Sequence, residues 1–376
     1  MTDSTRRQLL KLPLLAAAPY VAPYVARAEN SVDPLAIASL LLVGFVGTTE
    51  NANGARILAE HLAASRVGGV CFLGHNTKTR KGIMGLTKLF NSANQALRPI
   101  IAVDQEGGAV QRLGARNGYH AYPRAQTVAR KNTPKQATKL YAEMARELNK
   151  AGFNLNLAPV VDLGIEVDNP VVYKWGRTFG DNGQQVAEYA EAFVDAHRQF
   201  GVMTALKHFP GHGSTVIDSH AKPVDITSTW QPEELQPFRL LADRDKIDIV
   251  MSGHLSHDQL SDGLPATLSS KAVGILRNDL RYNGVIMTDD LDMKAIRSSY
   301  SLNDAVVRSI AAGYDLILLS NSLDPDAMLP QRIIAAVQQA VSEGRISADS
   351  IHESAERITN LKAATLASVS YRLLKA

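Results

Sequence analysis

The feature that most constrains the fold is a series of eight short apolar segments separated by segments with helical periodicity. The eight segments are largely apolar on both faces, which is typical of parallel strands that are buried on both sides. They occupy residues 39–45, 69–73, 99–104, 153–158, 203–208, 248–253, 284–289 and 314–319. Eight strands that alternate with helices predict an α/β fold, a single (β/α)8 barrel of the TIM type.

The segments between the predicted strands carry the pattern of amphipathic helices. This pattern is found at residues 136–151, 185–200, 302–312 and 329–341. A further periodic segment, residues 347–361, predicts an extra C-terminal helix. A doubly wound open sheet is the alternative, but such a sheet usually has a G-x-G-x-x-G turn after an early strand, and this sequence has none. No linker marks a second domain, so residues 29–376 are predicted to form one barrel domain.

The basic excess of the chain is confined to its first residues. The chain has 40 Lys and Arg against 37 Asp and Glu, a formal net charge of +3. Residues 1–28 contain four basic residues and only one acidic residue, so they account for the whole excess. Because the remainder is neutral overall, its charge gives no support to a nucleic acid or an anionic membrane as partner.

The same first segment resembles a twin-arginine export signal. Arg6 and Arg7 precede an apolar stretch at residues 12–25, and residues 26–28 match a small-residue cleavage site. The stretch is short for a membrane span, which needs about 20 apolar residues. We therefore expect an exported, periplasmic or secreted protein that is not an integral membrane protein; the alternative is a disordered basic tail. Cys71 is the only cysteine, which excludes an intrachain disulfide.

Chemically active residues stand at the ends of several predicted strands. Asp104 ends the third strand, and Lys207 and His208 end the fifth. His254 follows the sixth strand, and Asp289 ends the seventh. Functional groups of a (β/α)8 barrel lie at the C-terminal ends of its strands and in the loops that follow them. The sequence therefore predicts one common site at that face of the barrel.

The loop of residues 207–220 allows three interpretations. His208 and His212 are four residues apart, but a proline and glycines exclude the helix on which that spacing would favour a metal site. Asp218 and His220 are two residues apart, so in an extended segment their side chains point the same way. A carboxylate beside an imidazole is typical of a tuned general acid/base. From the residue types alone, a metal site, an acid/base pair and a structural loop all remain open.

Asp289 ends an apolar strand and is expected to face the barrel mouth. Lys207, Arg112 and Arg177 are the candidate cations beside it. The alternative is that Asp289 caps a helix or forms a structural ion pair. Asp290 cannot easily face the same way, so we expect it to make structural hydrogen bonds.

Five motifs, taken in order, make the chain similar to a known family. They read VDQEGG at 103–108 with VQR at 110–112, NLAPVVD at 156–162, GRTFG at 176–180, KHFPGHG at 207–213 with DSH at 218–220, and TDDLDM at 288–293. Together they resemble glycoside hydrolase family 3, in its NagZ-type β-N-acetylglucosaminidase branch. The resemblance covers residues 35–365, essentially the whole chain after the leader.

This resemblance implies a role for each matching residue. Asp289 would be the catalytic nucleophile of a retaining glycosidase, and His220 would be the general acid/base with Asp218 as its partner. Five other residues resemble the sugar-binding residues of the family: Asp104, Arg112, Arg177, Lys207 and His208. The resemblance also implies that the loop holds no metal and that the reaction needs no cofactor.

The implied activity is that of an exo-β-N-acetylhexosaminidase on cell-wall (muropeptide) or chitin-type sugars, with a place in peptidoglycan recycling. The expected partner is a small carbohydrate substrate rather than a nucleic acid, and the expected oligomeric state is a monomer. Two alternatives remain at this point. One is a β-glycosidase of the same family with broader specificity, and the other is a non-catalytic sugar-binding protein that is exported.

Overall fold

The computed structural model of the chain describes residues 31–93, 98–218 and 223–373, with side chains up to residue 365. Its central element is a sheet of eight parallel strands. They are β1 Leu41–Val43, β2 Gly69–Phe72, β3 Ile100–Val103, β4 Leu155–Asn156, β5 Met203–Phe209, β6 Ile249–Ser252, β7 Val285–Thr288 and β8 Ile317–Leu319. Each strand coincides with one predicted segment, and the predicted (β/α)8 barrel is confirmed.

The strands neighbour one another in chain order, as a (β/α)8 barrel requires. β1 pairs in parallel with β8 through Leu41 and Ile317. At the other edge of the sheet, Met287 of β7 forms a parallel bridge with Leu316, just before β8. The amide of Thr288 also donates to the carbonyl of Leu316 at 3.0 Å. These contacts close the sheet into a barrel.

Thirteen α-helices are found in the described residues, and the longer ones surround the barrel. They are α1 Pro34–Ser39, α2 Asn53–Ala63, α3 Arg80–Asn91, α4 Ala125–Lys131, α5 Pro134–Lys150, α6 Gly183–Arg198, α7 Gln236–Asp243, α8 Asp258–Ser261, α9 Ser270–Gly274, α10 Lys294–Arg297, α11 Leu302–Ala312, α12 Leu329–Ser342 and α13 Ala348–Leu373. The four helices predicted between strands are α5, α6, α11 and α12. The predicted C-terminal helix is α13, which is longer than the pattern at 347–361 indicated.

Local sequence signals set the ends of these helices. α5 begins with a capping box, in which Thr133 accepts from the amide of Gln136 and the Gln136 side chain accepts from the amide of Thr133. The Ser301 side chain caps α11 by accepting from the amide of Asp304. α11 ends at Gly313, whose φ of 101° is in the left-handed region that favours glycine.

A buried carboxylate attaches α13 to the barrel. Asp315, just before β8, accepts from Arg357 of α13 at 2.9 Å and from Ser354 at 2.8 Å. Its other oxygen accepts from Arg277 at 2.7 Å. The extra helix is therefore part of the same body as the barrel.

Two pairs of short strands shape the loops at the C-terminal end of the barrel. Gln105–Gly107 and Val110–Gln111 form an antiparallel hairpin directly after β3. Val224–Asp225 and Leu255–Ser256 pair in parallel and join the loops that follow β5 and β6. Among the described residues, no helix combines the length and apolar character that crossing a bilayer requires.

Candidate active site

A cavity of about 390 Å³ opens at the C-terminal end of the barrel strands. Seven of the eight residues predicted for the site line it: Asp104, Arg112, Arg177, Lys207, His208, Asp218 and Asp289. The eighth, His220, lies outside the described residues. The structure thus brings together side chains that are separated by up to 185 positions in the chain.

Strand ends and the loops after them supply these side chains. Asp104 directly follows β3, Lys207 and His208 lie near the end of β5, and Asp289 directly follows β7. The Lys207–His208 peptide bond is cis. Arg177 comes from the long loop after β4. Because neighbouring strands of a parallel barrel end at the same face, these groups meet there.

Lys207 is the buried centre of an ion-pair network. Its Nζ lies 2.9 Å from Asp104 Oδ1 and 2.8 Å from Glu106 Oε1, and its side chain is only 4% exposed. Burial alone would lower the pKa of Lys207, but the carboxylates of Asp104 and Glu106 outweigh it and raise the pKa above its usual value. Lys207 is therefore a fixed positive charge in the cavity.

Arg177 and Glu106 form a buried bidentate pair. Arg177 Nε donates to Glu106 Oε2 and Arg177 Nη2 donates to Glu106 Oε1, both at 2.8 Å. Burial would raise the pKa of Glu106, but Arg177 and Lys207 lower it to about 2. A guanidinium group that is held by two parallel hydrogen bonds has little freedom to rotate. Glu106 therefore fixes the guanidinium of Arg177.

Asp104 lies between two cations at the edge of this network. Arg112 Nη2 lies 3.3 Å from Asp104 Oδ2, while Lys207 contacts the other oxygen, Oδ1. Burial alone would raise the pKa of Asp104, but Lys207 and Arg112 hold it below its usual range. Asp104 is thus an ionised acceptor that lines the cavity, which suits it to bind hydroxyl groups.

The three cations that were predicted for the site form ion pairs with two carboxylates, Asp104 and Glu106. Arg112, Arg177 and Lys207 were expected beside Asp289, whereas Glu106 was not identified as a site residue from the sequence. A signal was present, because Asp104 and Glu106 are two residues apart and an extended backbone directs such side chains to one side. The cations do line the same cavity as Asp289.

His208 is held by a second buried carboxylate, Asp162. His208 Nδ1 lies 2.7 Å from Asp162 Oδ2, and Asp162 Oδ1 accepts from the amides of His208 at 3.0 Å and His212 at 2.9 Å. Burial would raise the pKa of Asp162, but His208 and these hydrogen bonds lower it. With Nδ1 donating to the carboxylate, the imidazole of His208 has a fixed orientation. Asp162 was not predicted as a site residue, although this residue ends the NLAPVVD motif.

His212 was weighed as a metal ligand together with His208. Burial lowers the pKa of His212 to about 4, and its Nδ1 lies 3.1 Å from Thr215 Oγ1. In the described part of the chain, no three His, Cys, Asp or Glu residues are grouped so that they could hold one metal ion.

The first half of the loop after β5 is held from three sides. Asn169 Nδ2 donates to the carbonyl of His212 at 2.7 Å, and Glu234 Oε2 accepts from the amide of Gly213 at 2.8 Å. Trp230 Nε1 donates to the carbonyl of Pro210 at 3.1 Å. Through this hydrogen bond, Trp230 packs against the loop. Beyond these anchors the loop leads to Asp218, which is exposed at the cavity.

The backbone fixes Asp289 at the end of β7. Its amide donates to the carbonyl of Ser252 at 2.9 Å, and its Oδ1 accepts from the amide of Asp290 at 2.8 Å. Asp290 Oδ1 accepts from the amides of Ser320 at 2.9 Å and Asp292 at 3.0 Å, which confirms its predicted structural hydrogen bonds. Asp290 nevertheless lines the cavity too, and burial raises its pKa to about 7.

The cavity combines ionised carboxylates with buried cations whose charges largely compensate one another. Such a set of fixed donors and acceptors suits a neutral ligand with many hydroxyl groups. Asp289 adds a partly exposed carboxylate that a reacting atom could approach. The arrangement is suited to stabilising positive charge that develops on a bound ligand.

The matching family model is the glycosyl hydrolase family 3 N-terminal domain, over residues 35–361. Beta-hexosaminidase A of Pseudoalteromonas piscicida is 30% identical over 330 residues, 81% of this chain and 54% of that protein. A beta-hexosaminidase of Photobacterium profundum is 33% identical over 259 residues, 68% of this chain and 75% of that protein.

A solved structure supports the same relationship. The family 3 β-N-acetylglucosaminidase of Paenibacillus sp. FPU-7 matches with a TM-score of 0.77 and 31% identity, over 89% of this chain and 62% of that one. The chain thus spans between about a half and three quarters of the length of these three relatives.

Proposed function

The chain belongs to glycoside hydrolase family 3, and from this premise we propose that it is a retaining exo-β-N-acetylhexosaminidase. Its substrates would be cell-wall (muropeptide) or chitin-type sugars with a terminal β-linked N-acetylglucosamine (GlcNAc). The observation that carries the proposal is that seven residues matching the family's motifs line one cavity. The names of the relatives, two β-hexosaminidases and one β-N-acetylglucosaminidase, support the choice of sugar.

The proposed mechanism has two steps. In the first, a carboxylate oxygen of Asp289 bonds to the anomeric carbon while the bond to the leaving oxygen breaks and His220 gives that oxygen a proton. In the second, His220 takes a proton from water, and the water oxygen displaces Asp289 and releases the sugar. Asp218 would orient His220 and stabilise its protonated form. Two displacements retain the anomeric configuration.

The ion-pair network would bind the sugar ring and stay fixed during both steps. Asp104 is suited to accept from hydroxyl groups, while Arg112, Arg177 and Lys207 are suited to donate. Because Glu106 already holds Arg177 and Lys207, these donors need little reorganisation when a sugar binds. Such preorganisation is a large part of enzymatic charge stabilisation.

The closed floor of the cavity supports exo action. Cys71, Met251 and Leu318 line it, and each is at most 4% exposed. A sugar ring that enters the cavity therefore meets a closed end inside the barrel, which suits an enzyme that acts on chain ends.

We also propose that residues 1–28 are an export signal and that residues 29–376 are the catalytic unit, acting as a monomer in the periplasm or outside the cell. The support is the sequence of the leader, which lies outside the described residues. An exported enzyme would meet cell-wall or environmental glycans directly.

A comparison of 4-nitrophenyl β-glycosides of GlcNAc, GalNAc and glucose tests the proposal. We expect kcat/KM about a hundredfold higher for the GlcNAc glycoside than for the glucoside, since a site built to bind the acetamido group rejects a sugar that lacks it. A preference for the glucoside would favour the broader β-glycosidase, and no turnover of any substrate would favour a sugar-binding protein. Product analysis on GlcNAc-anhydro-muramyl peptide and chitobiose would then identify the leaving side.

The acid/base role of His220 predicts a dependence on the leaving group. His220→Ala should slow substrates with poor leaving groups about a hundredfold to ten-thousandfold, because they need a proton in the first step. The first step for a 2,4-dinitrophenyl glycoside should change far less, since dinitrophenolate leaves without protonation. Pre-steady-state rates for the two substrates measure this difference. Equal slowing of the first step for both would contradict the role, and Asp218→Asn should give a weaker form of the same pattern.

A further inference from the structure

Four exposed apolar side chains belong to two loops that contribute residues to the cavity. The described residues include nine exposed large apolar side chains, and four of these belong to the two loops that flank the mouth. Ile165, Val167 and Trp175 lie in the loop after β4, and Val216 lies in the loop after β5. Scattered exposed apolar residues need no explanation, but one that also lines a cavity is a candidate contact for a ligand.

Trp175 is the one member of this group that also lines the cavity. Its side chain is 57% exposed, although tryptophan is usually mostly buried. No hydrogen bond joins its indole nitrogen to another residue in the described part of the chain. Trp230 differs, since its indole nitrogen donates to the carbonyl of Pro210 and its ring packs edge-on against His257. Packing inside the protein therefore does not explain the exposed position of the Trp175 side chain.

The backbone around Trp175 is held in a tight turn. The amide of Lys174 donates to the carbonyl of Asn169 at 3.1 Å, and the amide of Gly176 donates to the carbonyl of Tyr173 at 2.8 Å. Gly176 has a φ of +63°, and a Cβ at this position would lie 2.6 Å from the side chain of Arg124. The turn therefore requires glycine directly after Trp175.

This turn is attached to the charged network of the cavity through the next residue. Arg177 forms the bidentate pair with Glu106, its amide donates to the carbonyl of Val172 at 2.9 Å, and its Nη1 donates to the carbonyl of Val171 at 3.1 Å. The position of the Trp175 backbone is thus fixed relative to the buried charges. An exposed aromatic ring on a fixed backbone is a preorganised contact surface.

The exposed part of the cavity lining contains apolar as well as charged residues. Among the lining residues that are not buried, the charged ones are Asp104, Arg112, Asp218, Asp289 and Asp290, and the apolar ones are Leu73, Ala109, Val110, Pro170, Trp175 and Met293. Trp175 is the largest apolar side chain among them. A sugar whose anomeric carbon lies at Asp289 would direct its leaving group toward the mouth, where Trp175 is exposed.

We propose that Trp175 is the platform for the leaving group, and that it selects substrates whose leaving group is a ring with an apolar face. The C–H face of a pyranose has this character, and an aromatic face packs against such a surface while the ring hydroxyls stay in water. The preferred substrates are then GlcNAc glycosides of a second sugar. This inference rests on the proposed function and adds a specificity-determining residue to it.

Two substrates with the same donor sugar test the inference: N,N′-diacetylchitobiose, whose leaving group is a sugar ring, and β-GlcNAc fluoride, whose leaving group is one atom. Trp175→Ala should lower kcat/KM about tenfold on chitobiose, the effect expected when one stacked ring is lost. On the fluoride, kcat/KM should stay within about twofold. Trp175→Phe should recover most of the loss. Leu323→Ala, which truncates a 79% exposed side chain after β8, is the matched control and should change neither.

Two outcomes would overturn the inference. Equal loss on both substrates would mean that Trp175 supports the donor site or the fold, and no loss on chitobiose would mean that it is no platform. The same variants on cellobiose and β-glucosyl fluoride separate this inference from the proposed function. If the wild-type protein prefers the glucosyl pair, the GlcNAc proposal fails, while a loss confined to cellobiose would still support the platform.

Discussion

Replacing Asp289 by asparagine is expected to lower kcat on GlcNAc glycosides about ten-thousandfold, the size typical of losing a residue that bonds to the reacting atom. The side-chain amide that takes the place of the carboxylate is a poor nucleophile, so no glycosyl-enzyme would form. The variant should still bind GlcNAc, because Asp104, Arg177 and Lys207 are unchanged. Steady-state kinetics together with calorimetric titration of GlcNAc would measure the two effects separately.

The fold of this variant should remain intact. The contacts of Asp289 with its surroundings include the bond from its own amide to the carbonyl of Ser252 and the bond from the amide of Asp290 to its Oδ1. The first involves only backbone, and an asparagine oxygen can accept the second. An unchanged melting temperature would therefore assign the loss of turnover to chemistry.

The variant Asp289→Gly, which removes the whole side chain, distinguishes a nucleophile from a residue with only a structural role. Removal of the carboxylate leaves space on the face of the sugar opposite the leaving group. Azide added with a 2,4-dinitrophenyl glycoside should enter from that face and give the α-glycosyl azide, with restored turnover. A β-glycosyl azide, or full activity of either variant without azide, would contradict the assignment of Asp289 as nucleophile.

The barrel could be predicted because its strands are buried on both faces and are bounded by turn residues. β1, which is entirely buried, is a continuous apolar run. The same holds for β2 and β3 and, except for its final serine, for β6. The helix pattern was sufficient for α11 to be predicted with its observed ends, Leu302–Ala312. The end of α13 was not predicted, because the apolar spacing weakens after residue 361 while alanine, a strong helix former, continues.

The site was predictable where a residue directly follows a strand, as Asp104 and Asp289 do. The carboxylates that pair with Arg177 and His208 could not be predicted from their position after a strand. Arg177 pairs with Glu106, which is 71 positions away, and His208 pairs with Asp162, which is 46 positions away. The spacing of two residues could place Glu106 on the same side as Asp104, but the choice of Arg177 as its partner depends on how two loops fold over the barrel end. Glu106 and Asp162 were therefore found only in the structure.

The buried ion pairs of Glu106 with Arg177 and Lys207 should make the variant Glu106→Gln markedly less stable than the wild-type protein. The side chains of Glu106, Arg177 and Lys207 are 6%, 8% and 4% exposed. Removing the negative charge leaves Lys207 with Asp104 but leaves Arg177 without its ion-pair partner. Breaking a buried ion pair from one side costs about 3–5 kcal/mol of unfolding free energy, measurable as a lower urea midpoint at pH 7.

An exposed ion pair on the surface provides the control for this loss of stability. Glu343 forms a 2.7 Å ion pair with Arg345, but both side chains are more than 40% exposed. Glu343→Gln should leave the urea midpoint almost unchanged, because water replaces an exposed ion pair at little cost. The double variant Glu106→Gln, Arg177→Met should recover part of the loss, since it also removes the unpaired cation. A Glu106→Gln variant as stable as wild type would contradict the buried network.

The loss of unfolding free energy in Glu106→Gln should also depend on pH, and it should be smaller in acid. The folded protein lowers the pKa of Glu106 from 4.5 to about 2, so the unfolded chain binds a proton there at a higher pH than the folded one. The contribution of Glu106 is therefore complete above pH 4.5 and is lost as pH falls toward 2. The difference in unfolding free energy between wild type and Glu106→Gln should be constant from about pH 6 to 8 and should shrink between pH 4.5 and 2. Because titrating groups far from Glu106 behave alike in both proteins, they cancel in this difference, which reports on Glu106 and its neighbours Asp104 and Lys207. An equal difference at about pH 7 and pH 3 would mean that the carboxylate of Glu106 is not held in its charged form by Arg177 and Lys207.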